Sequence, residues 1–142
     1  MSLFPKKVKY RKWQTGRVNK NKKQVATRGT ELSFGSFGIK ADTSGRIRSN
    51  QIEAARKTIS RQMQKKGKMW IRIFPDRPFT AKAAEVGMGK GKGDIKGYEA
   101  PVKPGRVLFE VDGLTPEIAR EALRKAGAKL PVKTRIISRF QV

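Results

Sequence analysis

The 142-residue sequence contains no cysteine and no histidine. The chain can therefore form no disulfide bond and no zinc site built on thiolate or imidazole ligands. The Ser–His–Asp and Cys–His arrangements of nucleophilic enzymes are excluded for the same reason. No apolar run approaches the roughly 18 residues that a membrane-spanning helix needs, and the N-terminus lacks the apolar segment of a secretory signal.

Acidic residues are scarce as well: 34 Lys and Arg stand against 11 Asp and Glu, which gives a net charge of +23. A compact domain with this charge repels itself unless an anionic partner covers it, usually nucleic acid or an acidic membrane surface. The few carboxylates are scattered rather than grouped in one loop, so a metal-dependent enzyme is a weak hypothesis. We predict no catalytic residue, no metal and no cofactor.

Residues 1–30 carry ten basic residues and no acidic one. They contain few apolar residues and no sustained period, which favours an extended or disordered basic arm that binds RNA. A merely solubilising tail is the alternative, but two aromatic residues among the charges favour stacking or docking. The predicted RNA-binding residues of the arm are Lys6, Lys7, Lys9, Tyr10, Arg11, Lys12, Trp13, Arg17, Lys20, Lys22, Lys23 and Arg28.

Residues 31–142 are predicted to form a single α+β domain, with two helices packed on a small mixed sheet. The first helix covers 50–66, with Asn50 and Glu53 forming a capping box. The second covers 116–127, with Thr115 as its cap and proline at its first position. Its apolar face is predicted to contain Ala119, Ala122, Leu123 and Ala126. On the first helix, three basic residues lie opposite the apolar face and are either simply solvated or in contact with phosphate: Lys57, Arg61 and Lys65.

Alternating apolar residues predict strands at 69–74 and 131–138, and a hairpin formed by 97–103 and 106–111 around a Pro-Gly turn. A loose alternation after residue 31 indicates an irregular strand whose glycines permit close backbone approach. One core is expected to contain Ile59, Met63, Ile71, Ile73, Phe109, Val111, Leu123 and Ile136.

Residues 75–97 show no clear periodicity and are predicted to form a protruding loop, a length typical of functional or disordered segments. Glycine occupies every second position from 87 to 93, so the backbone can approach a ligand closely. A phosphate-binding P-loop is excluded, because Val86 stands where that motif requires glycine. A flexible tip is the alternative to a loop inserted among phosphates, whose predicted contact residues are Lys82, Met88, Gly89, Lys90, Gly91, Lys92 and Gly93.

The sequence contains no zinc finger, leucine zipper, convincing helix-turn-helix or RNA-recognition-motif signature. It therefore has the charge to bind phosphates without a device that reads bases, which is typical of proteins that recognise structured RNA by shape.

Seven motifs occur in order along the chain and together resemble one known family. They are PKKVKYRK at 5–12, FGSFGIKA at 34–41, QIEAAR at 51–56, GKMWIRIFPD at 67–76, MGKGKG at 88–93, VKPGR at 102–106 and KLPVKT at 129–134. The chain resembles the bacterial and organellar members of the universal large-subunit ribosomal protein family L-sixteen.

This resemblance implies a hammerhead-type α+β domain that binds large-subunit rRNA beside the aminoacyl-tRNA site. It also implies a glycine-lysine loop directed toward the tRNA, contacts with neighbouring ribosomal proteins, and a role late in subunit assembly. A ribosomal location in the cytoplasm follows from it, with an organellar ribosome left open, and neither membrane association nor a homo-oligomer is expected.

The chain departs from the family pattern at three places around the loop. Gly87 stands where the family usually has arginine, Lys82-Ala83 replaces a Lys-Pro pair, and Gly97-Tyr-Glu-Ala100 replaces a Tyr-Trp-Val-Ala segment. These differences leave open how the loop tip contacts RNA.

Two other functions are compatible with the residues. A free polycation would bind duplex DNA or anionic vesicles as well as folded rRNA. An RNA-acting enzyme would use Asp76, Glu85 and Asp94 as Mg²⁺ ligands flanking the loop, although three separated acids are common by chance.

Overall fold

The computed structural model describes residues 4–16, 19, 21–22 and 24–140. Of the predicted site residues, Arg17, Lys20 and Lys23 lie outside the described residues. Within them, no helix is long and apolar enough to cross a membrane.

The described chain contains two helices and two antiparallel sheets, which confirms the α+β class but corrects the expectation of one small mixed sheet. The four-stranded sheet has the order β3-β6-β1-β7 and the three-stranded sheet the order β2-β5-β4. Every pairing in both sheets is antiparallel. The elements are β1 (Phe37–Ala41), β2 (Gly45–Arg48), α1 (Ser49–Met63), β3 (Lys68–Ile71), β4 (Arg77–Ala81), β5 (Asp94–Val102), β6 (Val107–Asp112), α2 (Pro116–Gly127) and β7 (Thr134–Ser138).

The predicted hairpin between β5 and β6 is wrong, although the turn between them is present. The Arg106 N–H donates to the Lys103 carbonyl at 3.2 Å, and Gly105 has a φ of 99°, as a type II turn requires. However, β5 pairs with β2 and β4 while β6 pairs with β1 and β3. The chain therefore passes from one sheet to the other at this turn, because both sides of each strand are already occupied.

The predicted loop at 75–97 is also too long, since it includes β4 and the first part of β5. The unpaired segment is residues 82–93. Strand β4 lies at the edge of its sheet and contains Pro78, which lacks a backbone N–H and is tolerated in a strand mainly at an edge. Because β4 is short and contains this proline, its sequence shows no clear alternation of apolar and polar residues.

Helix α1 begins one residue earlier than predicted, and its cap differs. The backbone N–H of Arg48, at the N-cap, donates to Oε1 of Gln51 at 2.9 Å. The Asn50–Glu53 capping box is therefore wrong, because Asn50 already lies inside the helix and Glu53 binds Arg56 instead.

The other helix ends follow from local conformation. Helix α1 ends at Met63, and the next two residues have left-handed φ angles, 51° at Gln64 and 66° at Lys65. Helix α2 has the predicted bounds, with Thr115 at the N-cap position and proline at the first turn, although the threonine side chain makes no capping hydrogen bond.

The two helices pack against each other, α2 also against β1 and β7, and α1 also against β2, β3 and β5. The predicted α2 residues Ala119, Ala122, Leu123 and Ala126 are all buried. The predicted core is wrong at Ile136, because this residue lies on the edge strand β7 and is 38% exposed. Ile71 is only partly buried against the core, whereas the remaining predicted members are buried: Ile59, Met63, Ile73, Phe109, Val111 and Leu123.

Candidate nucleic-acid interface

The described part of the basic arm contains no helix or strand and lies against the domain at three places. Near its start, the Phe4 ring meets the Tyr98 ring of β5 edge-on, with centroids 5.8 Å apart. In its middle it contacts the loop at 82–93. At its end, the Ala26 N–H donates to the Pro104 carbonyl at 3.0 Å, and the Gly29 carbonyl accepts from the Val107 N–H at 2.8 Å.

The contact between the arm and the loop is reciprocal. The Lys12 ammonium lies 3.4 Å from the Lys92 carbonyl, and the Lys92 ammonium donates to the Trp13 carbonyl. Two basic segments about 80 residues apart in sequence thus meet on one surface. The structure thus places Lys12 and Trp13 of the predicted arm against Lys92 of the predicted loop. The sequence alone does not indicate that these two segments are in contact.

The loop backbone explains why glycine recurs in it. Gly89, Lys90 and Gly91 have left-handed φ angles of 107°, 62° and 92°, a region in which glycine is unstrained. At Gly93 a side chain would place its Cβ 2.7 Å from the Ala81 carbonyl oxygen. The alternating glycines therefore serve two purposes, a left-handed turn at the tip and a close backbone approach at its base.

The loop tip is presented to solvent. Met88 is fully exposed, Lys90 and Lys92 are exposed, and the half-buried Lys82 donates its ammonium to the Gly89 carbonyl. An exposed methionine and lysines on a tip with few internal contacts are suited to meeting a large ligand.

Gly87 differs from the other loop glycines. Its φ lies outside the left-handed region, and a Cβ built on it meets nothing within 4 Å. The fold therefore does not require glycine at this position, and a side chain can begin there without a clash at its Cβ.

A second basic surface follows helix α1. Lys57, Arg61 and Lys65, predicted from the helix period, are exposed and line one shallow groove of about 650 Å³. Arg56 and Lys68 also line it and were missed. The spacing of Arg56 and Glu53 on the helix indicates an intrahelical ion pair rather than a binding residue. Lys68 belongs to β3, and only the fold brings this strand to the groove.

Of the acidic residues, two are buried, and three others form ion pairs with arginines closer to the surface. Buried Glu99 on β5 lies between Arg46, at 3.5 Å, and Arg77, at 3.8 Å. In the described chain, the lysines and arginine predicted on the α1 groove form no ion pair with an acidic residue. These three cations of the α1 groove therefore keep their charge available for an external anion, whereas Arg56 pairs with Glu53.

The most deeply buried carboxylate, Glu110 of β6, was missed by sequence reasoning. Its side chain is fully buried and binds Arg72 and the backbone of residues 33–35. Burial raises the pKa of Glu110, but the Arg72 guanidinium and the backbone N–H donors lower it by more, so the pKa lies below its ordinary value. The carboxylate is ionised at neutral pH.

The alternative enzymatic site finds no support in the described residues. Asp76, Glu85 and Asp94 do not form a metal-binding group, since no cluster of three or more acidic side chains that could hold a metal occurs in the described ranges.

Comparison with known proteins identifies relatives over nearly the whole chain. A family model described as "Ribosomal protein L16p/L10e" matches residues 5–137. A protein of Halorhodospira halophila named "Large ribosomal subunit protein uL16" is 55% identical over 137 residues, covering 96% of this chain and 97% of the relative. Proteins of the same name from a Chelativorans species and from Rhizobium etli are 53% identical over 138 residues, with 97% and 98% coverage.

Proposed function

The chain belongs to the L16p/L10e family of ribosomal proteins, and from this premise we propose that it is a non-enzymatic, structural component of the large ribosomal subunit that binds large-subunit rRNA. The proposed location is the cytoplasmic ribosome, and the proposed partners are rRNA and neighbouring ribosomal proteins. The observation that supports the binding mode best is the reciprocal contact between Lys12, Trp13 and Lys92, which joins arm and loop into one basic surface.

This composite surface is suited to a folded RNA. Lysine and arginine release counterions when they bind phosphates, so affinity comes from charge, while the arrangement of the two segments selects shape. The exposed side chains of Tyr10 and Trp13 supply apolar faces on which a base or sugar can pack. In the proposal, the arm follows the RNA backbone while its end stays fixed on the domain.

The loop tip is proposed to face the tRNA of the aminoacyl site. Met88 is fully exposed, and the exposed Lys90 has a left-handed φ of 62°. The loop around them is held by the Lys82 contact with Gly89 and by the Lys92 contact with the arm. In this arrangement the base of the loop lies on rRNA and the tip reaches a second RNA. A role in late subunit assembly, which the family resemblance implies, is part of the proposal.

The groove on α1 is proposed as a second rRNA contact. Three of its five cations lie on α1, one lies on β3, and Lys65 lies in the short turn between them, so their spacing is largely fixed before RNA binds. Preformed spacing reduces the ordering cost of binding.

Binding selectivity tests the proposed function. Full-length protein is titrated with large-subunit rRNA, small-subunit rRNA and duplex DNA in filter-binding assays at several salt concentrations. We expect the tightest binding to large-subunit rRNA, with a steep salt dependence. Equal affinity for all three would instead identify a free polycation.

A matched pair of triple substitutions assigns the binding to the arm. Replacing Lys6, Lys7 and Lys9 by Gln is expected to weaken rRNA binding about a hundredfold and to reduce the salt slope by about three. The control replaces three exposed cations elsewhere, Arg120, Lys129 and Lys133, and removes the same charge. Equal losses in both variants would contradict a specific role for the arm.

A further inference from the structure

We propose that Glu110, an acidic residue in a strongly basic chain, is a positioning residue for RNA binding, because it fixes the direction in which the arm leaves the domain. The inference rests on the proposed rRNA-binding function. It concerns residues 28–36, which we call the arm root, where the basic arm joins the four-stranded sheet.

Both carboxylate oxygens of Glu110 hold the arm root, one directly and the other through Arg72. Oε1 accepts hydrogen bonds from the backbone N–H groups of Ser33, Phe34 and Gly35, at 2.9, 3.0 and 3.2 Å. Oε2 accepts from Nη1 of Arg72 at 2.5 Å. A single carboxylate thus binds three consecutive peptide groups, which fixes the course of this segment over the sheet.

The arginine opposite Glu110 extends the same connection. Nη1 of Arg72 also lies 3.4 Å from the Glu31 carbonyl, and its guanidinium lies over the Phe34 ring, 5.3 Å from the centroid. Nη2 of Arg106 donates to the Arg72 carbonyl at 2.9 Å, and Nη1 of Arg106 lies 3.3 Å from the Arg28 carbonyl. The arm root is therefore held from residue 28 onward by two arginines whose positions depend on one another.

Two glycines allow the arm root to lie close to the sheet. Gly38 of β1 pairs with Glu110, and a Cβ there would lie 2.9 Å from the Phe109 carbonyl oxygen and against Leu32. At Gly35 a Cβ would lie 2.5 Å from the Val111 carbonyl oxygen. Without these glycines the backbone of residues 33–35 could not come within hydrogen-bond distance of the buried carboxylate.

Charge and position predict opposite effects of removing this carboxylate. Glu110→Gln increases the net positive charge by one, and charge alone would strengthen RNA binding. In the amide, the oxygen that accepts the three N–H groups is neutral and binds them more weakly, and the NH₂ group faces the Arg72 guanidinium as a second donor. The arm root is then released, and the arm must be ordered on RNA at additional entropic cost.

A cycle of full-length variants distinguishes these effects. Affinity for large-subunit rRNA is measured for the original chain, Glu110→Gln, the Lys6, Lys7 and Lys9 triple variant, and the combination. We expect Glu110→Gln to weaken binding about tenfold with the arm intact and to have little effect once the arm charges are removed. Glu121→Gln, at an exposed residue of α2, makes the same charge change and is expected to leave affinity unchanged or slightly higher.

Each other outcome has a distinct meaning. If Glu110→Gln binds as tightly as Glu121→Gln, the positioning role is refuted, and equal losses in both arm backgrounds would show general destabilisation instead. If the original chain shows no preference for large-subunit rRNA, the proposed function fails first.

Two further measurements cover the case in which Glu110→Gln folds poorly. Arg72→Lys keeps a cation beside Glu110 but removes the guanidinium contacts, and it is expected to show the same arm-dependent loss of affinity. Amide hydrogen exchange at residues 33–35 is expected to accelerate in both variants while exchange in α2 stays slow. Unchanged protection of residues 33–35 would contradict the inference.

Discussion

The arm root and the loop at 82–93 both adjoin the proposed RNA-binding surface, yet they are held in place in opposite ways. The arm root is bound to a fully buried carboxylate, Glu110, and lies over glycines that allow close packing. In the loop, the Lys82 ammonium binds the Gly89 carbonyl of the loop itself, and the Lys92 ammonium binds the Trp13 carbonyl of the arm, and both contacts are exposed.

This difference teaches how the chain uses its few acids. A buried carboxylate with four hydrogen bonds fixes one geometry, because any displacement leaves a charge without partners. An exposed lysine on a carbonyl can exchange that partner for a phosphate at little cost, because water solvates both groups. In the proposed function, the arm root thus provides a fixed origin for the arm, and the loop provides lysines that can transfer to RNA.

Protonating Glu110 should weaken its hydrogen bonds to the arm root and to Arg72, and should produce the largest effect on stability. Because its pKa in the folded state is lowered from the ordinary value of 4.5, its contribution is present above that value and is lost as pH falls through the folded pKa. We expect the free energy of unfolding, measured in urea between about pH 3 and 6, to decrease with acid.

Glu110→Gln serves as the comparison in this titration. Loss of one partner of a buried ion pair costs about 3–5 kcal/mol, so this variant should be less stable at neutral pH and show a flatter pH profile. The Arg124 side chain also lowers the pKa of Glu121, but this ion pair is exposed and screened by water, so Glu121→Gln should flatten the profile much less. An unchanged profile in Glu110→Gln would rule out Glu110 as a source of the acid sensitivity.

A methyl group beneath the arm root should be the next most damaging change. Gly35→Ala places a Cβ against the Val111 carbonyl, and overpacking of this kind costs about 1–3 kcal/mol. Gly87→Ala, at a position with open space, is the matched control and should be nearly neutral. Urea unfolding of both variants makes the measurement, and equal stabilities would show that close packing at Gly35 is unimportant.

Removing a lysine from the loop tip should affect binding without affecting stability. Lys90 is exposed and has no ion pair in the described chain, so Lys90→Gln should leave the unfolding free energy unchanged. Affinity of large subunits carrying the variant for aminoacyl-site tRNA should fall about three- to tenfold. Lys125→Gln on α2 is the control, and an equal loss there would argue against a specific contact at the tip.

Adding a cation beside the tip should give the smallest effect, in the opposite direction. Gly87→Arg restores the residue that the resemblance predicts, and the open surroundings of Gly87 accommodate it. We expect RNA affinity to rise by a few-fold, with a salt slope steeper by up to about one. Gly87→Gln controls for side-chain size, and a similar gain with glutamine would exclude charge as the cause.

The helices and their buried faces could be predicted from the sequence, because the period of a helix is local information. On α2, for example, Ala119, Ala122 and Leu123 are buried as predicted. The basic face of α1 was predicted for the same reason. The cap of α1 was not predicted, because arginine is not a usual N-cap residue. The capping hydrogen bond is donated by the Arg48 backbone N–H to the side-chain oxygen of Gln51.

Strand partners could not be predicted in the same way. Alternation in β5 and β6 shows which side chains share a face, but it does not show whether the two strands pair with each other. Strand β4 was missed because Pro78 interrupts its pattern.

The site was predicted only in part, for the same physical reason. Charge composition identified the arm and the loop separately, and the contact between Lys12 and Lys92 requires the fold. Glu110 could not be recognised, since a lone glutamate among apolar residues of a strand gives no sign of its partners 38 and 75–77 positions away.

Sedimentation of the native protein tests the central claim most directly. Extracts of the source cells are separated on sucrose gradients at low and high salt, and each fraction is probed for this chain. A ribosomal component anchored by the arm and the α1 groove is expected to migrate with the large subunit at both salt concentrations. Release to the top of the gradient at modest salt would contradict the account and identify a loosely bound polycation.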